Sequence, residues 1–195
     1  MSKPDRYGWF DDWVGEYLDW AITLTPARIG SPERFLELVG AELLPSKQPC
    51  GLPELADEGT ADRVLVGAAP APGKPDWVLG AERPACVSYE KVGELSVRGV
   101  AVSFHRTEDS GARFTWAVGG DVLVDFSLTD GDVIDGSDPE RLVDKMREAG
   151  LDPDDTTHPC ATAALLIEMI TGVVITREVL ETTKFTSGSV PFPWF

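Results

Sequence analysis

Between Val97 and Phe126 the chain carries three short segments rich in Val, Phe and Trp, parted only by turns, and this stretch restricts the fold more than any other. Val97–His105, Phe114–Val118 and Val122–Phe126 have the composition of strands. Gly119-Gly120 separates the last two, and a paired glycine suits the primed two-residue turn, whose central residues need positive φ. Glu108–Gly111 reads as the preceding turn. Strands joined this closely must run antiparallel, because a parallel pair needs a crossover of about a dozen residues or more. The spacing therefore predicts a meander, with Phe104, Phe114, Trp116, Val122, Val124 and Phe126 packing across strands. Val64–Ala69 and Trp77–Ala81 have the same character and bring the expected sheet to about five strands.

Helical periodicity lies on both sides of this block. Phe10, Trp13, Val14, Tyr17, Leu18 and Ala21 recur at three- and four-residue spacing, predicting an amphipathic helix over Trp9–Ile22 that ends before Pro26. Ser31-Pro32-Glu33 is a helix start with a capping serine, a first-turn proline and an acid. Phe35, Leu36, Val39 and Leu43 would form its apolar face, and Pro45 its stop. The Pro-, Gly- and acid-rich run 45–62 reads as a loop, and Pro84–Leu95 as a short helix. Further helices are expected over Pro139–Ala149, ending at Gly150, over Cys160–Thr171 with Gly172 as its C-cap, and from a Thr176 cap through Leu180. Flanking helices around consecutive strands predict an α+β fold, not an alternating βαβ one. Residues 1–195 are read as one domain with an aromatic C-terminal tail over 184–195; a domain of this length buries roughly 70% of the surface its unfolded chain exposes.

The order of these elements resembles an uncharacterised family of acidic actinobacterial proteins, a domain of unknown function. The likeness rests on the aromatic acidic segment Trp9–Trp20 and on Ala101-Val102-Ser103-Phe104 leading to Phe114-Thr115-Trp116-Ala117. It continues through the Gly-Gly hairpin, the Gly136-Ser137-Asp138-Pro139 helix start and Leu165–Leu180. The resemblance implies no activity and no catalytic residues.

Charge is the unusual quantity. The formal net charge is −16, which disfavours direct binding of nucleic acid or anionic lipid, since neutralising phosphate takes Lys and Arg. Residues 63–129 are nearly neutral, with 7 basic and 8 acidic groups, whereas 1–62 carry −7 and 130–195 carry −8. Asp130–Asp155 alone holds 10 acids against Arg141, Lys145 and Arg147. The first residues hold acids where a signal peptide needs an apolar run, and no apolar stretch reaches the ~18 residues of a membrane span. The expected location is cytoplasmic, with no membrane association.

Few constellations point to chemistry. Asp130-Gly131-Asp132-Val133-Ile134-Asp135 alternates acids with glycine, but no EF-hand register fits. A strand-to-helix connection explains it better. Cys50, Cys86 and Cys160 are too scattered for a disulfide framework or a closed zinc site. His105 reads as a surface histidine at a strand end, and His158-Pro159-Cys160 as a helix start with Cys160 buried. No Gly-x-Ser-x-Gly elbow and no phosphate loop occurs. No catalytic, metal or cofactor residues are therefore assigned. Most of the 6 tryptophans are expected in or beside the core. The Phe192, Trp194 and Phe195 cluster either folds back on the core or anchors a partner.

The expected function is that of an acidic protein-binding or inhibitory, immunity-like protein occluding a basic protein partner. Its contact residues would be Asp130, Asp132, Asp135, Asp152, Asp154 and Asp155, with Phe192, Trp194 and Phe195. The alternatives are an enzyme whose His and carboxylates converge from distant positions, or a structural or assembly subunit.

Overall fold

A computed structural model describes residues 6–17, 22–44, 49–57, 63–83, 87–107, 111–130, 134–149, 151–155 and 157–191. In chain order the elements are α1 (Trp9–Tyr17), β1 (Ile22–Ala27), α2 (Pro32–Leu38), β2 (Glu42–Leu43), α3 (Leu52–Asp57), β3 (Arg63–Ala71) and β4 (Lys74–Arg83). There follow α4 (Val87–Glu90), α5 (Val92–Ser96), β5 (Val100–Thr107), β6 (Gly111–Val118), β7 (Asp121–Ser127) and β8 (Ile134–Asp135). The chain continues with α6 (Glu140–Ala149), α7 (Pro159–Thr171), α8 (Arg177–Thr182) and β9 (Thr186–Pro191).

The fold is α+β, built on an antiparallel sheet. Among the described residues that sheet has nine strands in the order β2-β9-β3-β4-β1-β5-β6-β7-β8. The meander is present as β5-β6-β7, with Phe104 opposite Phe114, and Phe114 opposite Phe126. Gly119 and Gly120 form its second turn at φ 63 and 93. The sheet exceeds the expected width because β1, β2, β8 and β9 join it, and the reasons are local. Ile22–Ala27 continues the predicted first helix in the sequence but alternates Leu24 toward one face with Thr23, Thr25 and Ala27 toward the other. β-branched residues favour that extended form. Pro26 sits in this central strand, and the ladder to β5 skips Thr25 and Pro26, where proline has no N–H to offer. Similarly, α2 stops at Leu38, with Gly40 at φ 77, so Leu43 is not on its apolar face but exposed on β2. The expected 45–62 loop contains α3, whose Leu52 and Leu55 are buried. The first half of the expected tail is β9, inserted between β2 and β3.

Helices cover both faces. Residues of α1, α3, α6, α7 and α8 pack with Leu24, Leu79, Val102, Phe104, Phe114, Val124 and Phe126. On the opposite face α2, α4 and α5 pack with Ala27, Val64, Val66, Ala68, Val78, Ala101 and Ala117. α7 is apolar nearly all round, and Cys160, Ala161, Ala163, Ala164, Leu165, Leu166 and Ile167 are all buried; such a helix belongs in a core. Its first N–H groups are satisfied from a distance: the Asp11 carboxylate on α1 accepts from Cys160 N (3.0 Å) and Ala161 N (3.1 Å). Caps of this kind contribute about 1 kcal/mol. As expected, Ser31 caps α2, Thr176 caps α8, and Gly172 ends α7 at φ 69. No described helix is long and apolar enough to cross a membrane.

At Gly80 the aromatic ring of Phe35 from α2 lies directly on the strand, where a Cβ would overlap Phe35 Cζ. Gly80→Ala is therefore expected to destabilise the protein by about 1–3 kcal/mol. A fall in the urea midpoint at unchanged slope would report it; an unchanged midpoint would contradict this packing.

Candidate functional site

The face under α4 carries polar residues on five successive strands. One row runs Glu82 (β4), Thr23 (β1), His105 (β5), Arg113 (β6) and Ser127 (β7), each directly opposite the next. Beside it lie Thr25, Ser103, Thr115 and Asp125, with Ser103 opposite Thr115 and Thr115 opposite Asp125. Strand alternation puts both rows on the same side as Ala27, Ala101 and Ala117. Glu82, Thr23, Thr25 and Ser103 are fully buried, and His105 is 6% exposed. His105 is thus not the surface histidine its position suggested: α4 covers the strand end on which it sits.

Burial forces these groups to pair with one another. The Glu82 carboxylate accepts from Val87 N and Ser88 N, both at 2.7 Å, and so caps the start of α4 from within the sheet. Ser88 Oγ lies 2.8 Å from Thr25 Oγ1, which lies 3.0 Å from Ser103 Oγ. His105 Nδ1 is 3.0 Å from Thr23 Oγ1, and its ring stacks obliquely on Tyr89 at 5.5 Å. Tyr89 Oη donates to the Asp125 carboxylate, which also takes a two-pronged contact from Arg113 through Nε (3.2 Å) and Nη2 (2.9 Å). Burial pushes the Glu82 carboxyl up to about 7 despite the hydrogen bonds that favour its charge. Burial, with the Arg113 cation nearby, lowers His105 to about 4, so the imidazole is neutral at pH 7. Tyr89 is raised by burial and by the Asp125 charge. The arrangement holds α4 to the sheet; His105 and Glu82, the groups able to move protons, lie beneath it.

The acidic residues expected to meet a partner lie elsewhere. Asp130, Asp135, Asp152, Asp154 and Asp155 are all exposed. Asp132, Phe192, Trp194 and Phe195 lie outside the described residues. Several of these aspartates also shape the backbone: Asp135 accepts from Gly136 N, Asp152 from Asp154 N and Asp155 from Thr157 N. The hydrogen bonds from Thr157 hold the Asp155 carboxyl below its usual range. Ser137 N and Asp138 N donate to Val122 O and Leu123 O, fastening the acidic segment to β7 before α6 begins. Within α6 and its start each cation is already engaged: Arg141 with Asp138 (3.1 Å), Lys145 with Glu148 (2.8 Å) and Arg147 with Asp144 (3.2 Å). Asp135, Glu140, Asp152, Asp154 and Asp155 remain exposed, and no ion pair to a described cation engages them.

Cys160 is buried as expected, its thiol pushed up to about 12 mainly by burial, which suppresses thiolate chemistry. His158 stands at the N-cap position of α7, 3.8 Å from Asp11. Among the described residues no group of three or more His, Cys, Asp and Glu is placed to hold a metal ion.

A family model matches residues 2–193. The chain belongs to a family of unknown function (DUF6461). The match spans both the polar rows and the acidic segment, so it covers each surface described above. No curated protein and no solved structure matches the chain.

The two buried titrating groups oppose each other. Glu82 rises from 4.5 to about 7, so the folded state holds its proton longer than the unfolded chain, and stability falls as pH rises across that window. His105 falls from 6.5 to about 4, so the unfolded chain takes up the proton first, and stability rises with pH across that window. Against wild type, Glu82→Gln should therefore gain ground as pH rises from 4.5 to 7 and level off above. Denaturant unfolding across that range reads the difference directly, and a flat difference would refute the buried, raised carboxyl.

Proposed function

We propose that this chain is an acidic, immunity-like protein that binds and occludes a basic protein partner in a bacterial cytoplasm. The observation that carries this reading is the charge pattern of residues 135–155. Its cations are engaged by neighbouring acids, while Asp135, Glu140, Asp152, Asp154 and Asp155 face solvent with no ion pair to a described Lys or Arg. Carboxylates left in that state repel one another and raise the local negative potential. A cationic protein surface relieves the repulsion, steers onto the face and releases counter-ions, which makes association fast and salt-sensitive. Asp130 adds to the same surface, and Asp132, Phe192, Trp194 and Phe195 are proposed as further contacts, the aromatics as anchors. The enzyme alternative has less support, since His105 and Glu82 lie under α4.

The test is a variant with D135N, E140Q, D152N, D154N and D155N together, which keeps side-chain shape and removes charge. A basic protein captured by the wild-type chain at low salt should be identified, purified and offered to both forms. The variant, folded by circular dichroism, is expected to associate at least about tenfold more slowly, with a weaker dependence on salt. Equal rates and equal salt dependence for the two forms would reject this face as the binding surface, and so would the absence of any salt-sensitive capture.

A further inference from the structure

The helical layer on the other side of the sheet carries a second feature that the acidic face does not explain. Between α2 and α5 lies a cavity of about 390 Å³, open to solvent, a size within the range of small-molecule sites. Ile29, Leu38, Leu95 and Val97 supply its apolar wall. Val97 is 62% exposed, one of two large hydrophobic side chains so exposed among the described residues. Arg34, Glu94 and Arg98 supply its charge. Two of these are already neutralised from outside the cavity, Arg34 by Glu37 at 2.6 Å and Glu94 by Lys91 at 2.7 Å. Arg98 is exposed and has no hydrogen-bond or ion-pair partner among the described residues.

The Arg98 guanidinium thus stands beside an apolar wall with no acid among the described residues to neutralise it, on a molecule of net charge −16. Carboxylates are abundant enough to pair with every cation. We propose that this cavity binds a small amphipathic carboxylate, an aliphatic or aryl acid whose carboxylate is gripped by Arg98 and whose body lies along Ile29, Leu38, Leu95 and Val97. Guanidinium and carboxylate match in planar, two-pronged geometry, which a primary amine or an alcohol cannot reproduce. The apolar wall gains by covering Val97, which otherwise remains in water. The long-range field of the protein repels anions, so recognition rests on contact and not on steering. Affinity for a ligand of about ten heavy atoms should then fall on the order of 10⁻³ to 10⁻⁴ M.

Octanoate is a suitable probe, titrated into the full chain and followed by amide chemical shifts, with octanol and octylammonium as controls. The expected result is a saturable response centred on α2, α5 and residues 97–98. Arg98→Gln should weaken octanoate binding by about tenfold, and Val97→Glu, at an exposed position, should abolish it. Octylammonium should not saturate the site, and the five-fold charge-neutralised variant of the acidic face should bind octanoate as wild type does. That last comparison separates the two proposals, since the acidic face can fail its test while this cavity passes. A response that does not saturate, that survives Arg98→Gln unchanged, or that octylammonium reproduces would overturn the proposal.

Discussion

Covering both faces of one broad antiparallel sheet is the constraint from which the remaining features follow. A sheet with one wet face can leave every second side chain polar at no cost. Here α2, α4 and α5 close over the face that carries Thr23, Thr25, Glu82, Ser103 and His105. Once covered, those groups must find partners inside the protein, because a buried polar group left alone costs about 1–3 kcal/mol. The resulting network ties five strands to a short helix that has too few residues to stand by propensity alone. Glu82 is its keystone, since the same carboxylate caps α4 and lies opposite Thr23.

The opposite face is settled by hydrophobicity. α7 brings Leu165, Leu166 and Ile167 against Phe104 and Phe114 in the same cluster, and each fully buried side chain of this size contributes roughly 1.5–3 kcal/mol. The two layers thus stabilise the same sheet differently, one mainly through apolar burial and the other through a smaller apolar cluster joined to a buried set of hydrogen bonds. Their outer surfaces differ as well. α6, on the apolar layer, presents carboxylates, while the α2–α5 side presents an arginine beside apolar side chains. The two sides therefore offer surfaces of unlike chemistry.

What could be read from the chain was whatever depended on neighbours in sequence. The Gly119-Gly120 turn, the Ser31 and Thr176 caps, the Gly172 stop and the apolar run of α7 are local chemistry, and each stands where its residues place it. The misread elements depend on distant partners. Ile22–Ala27 contains a proline and follows a helical pattern, and only β4 and β5 on either side hold it as a strand. Thr186–Pro191 is rich in Ser and Gly, and pairing with β3 makes it a strand. The burial of His105 departs from the sequence expectation for a related reason. Alternating polar residues in β1, β5, β6 and β7 resemble a solvent face until α4, from a segment with weak helical signals, is laid across them. The shared parity of Thr23, Ser103, His105, Arg113, Thr115 and Asp125 was the available clue. The exposed acids of 130–155 were legible because charge density needs no fold to be seen.

The position of β9 also has a bearing on how the molecule is made. Among the described residues β2 pairs with β9 alone, and β3 has β9 as its outer neighbour, so this flank stays open until β9 arrives. On the ribosome, the β3–β4 and β5–β6–β7 hairpins can form locally and β1 can join between β4 and β5 over a longer separation, while the outer edge of β3 waits unpaired. That edge is a template for pairing with another nascent chain. Until β9 is made and pairs, synthesis therefore passes through a sticky intermediate for the cell's chaperones to shield.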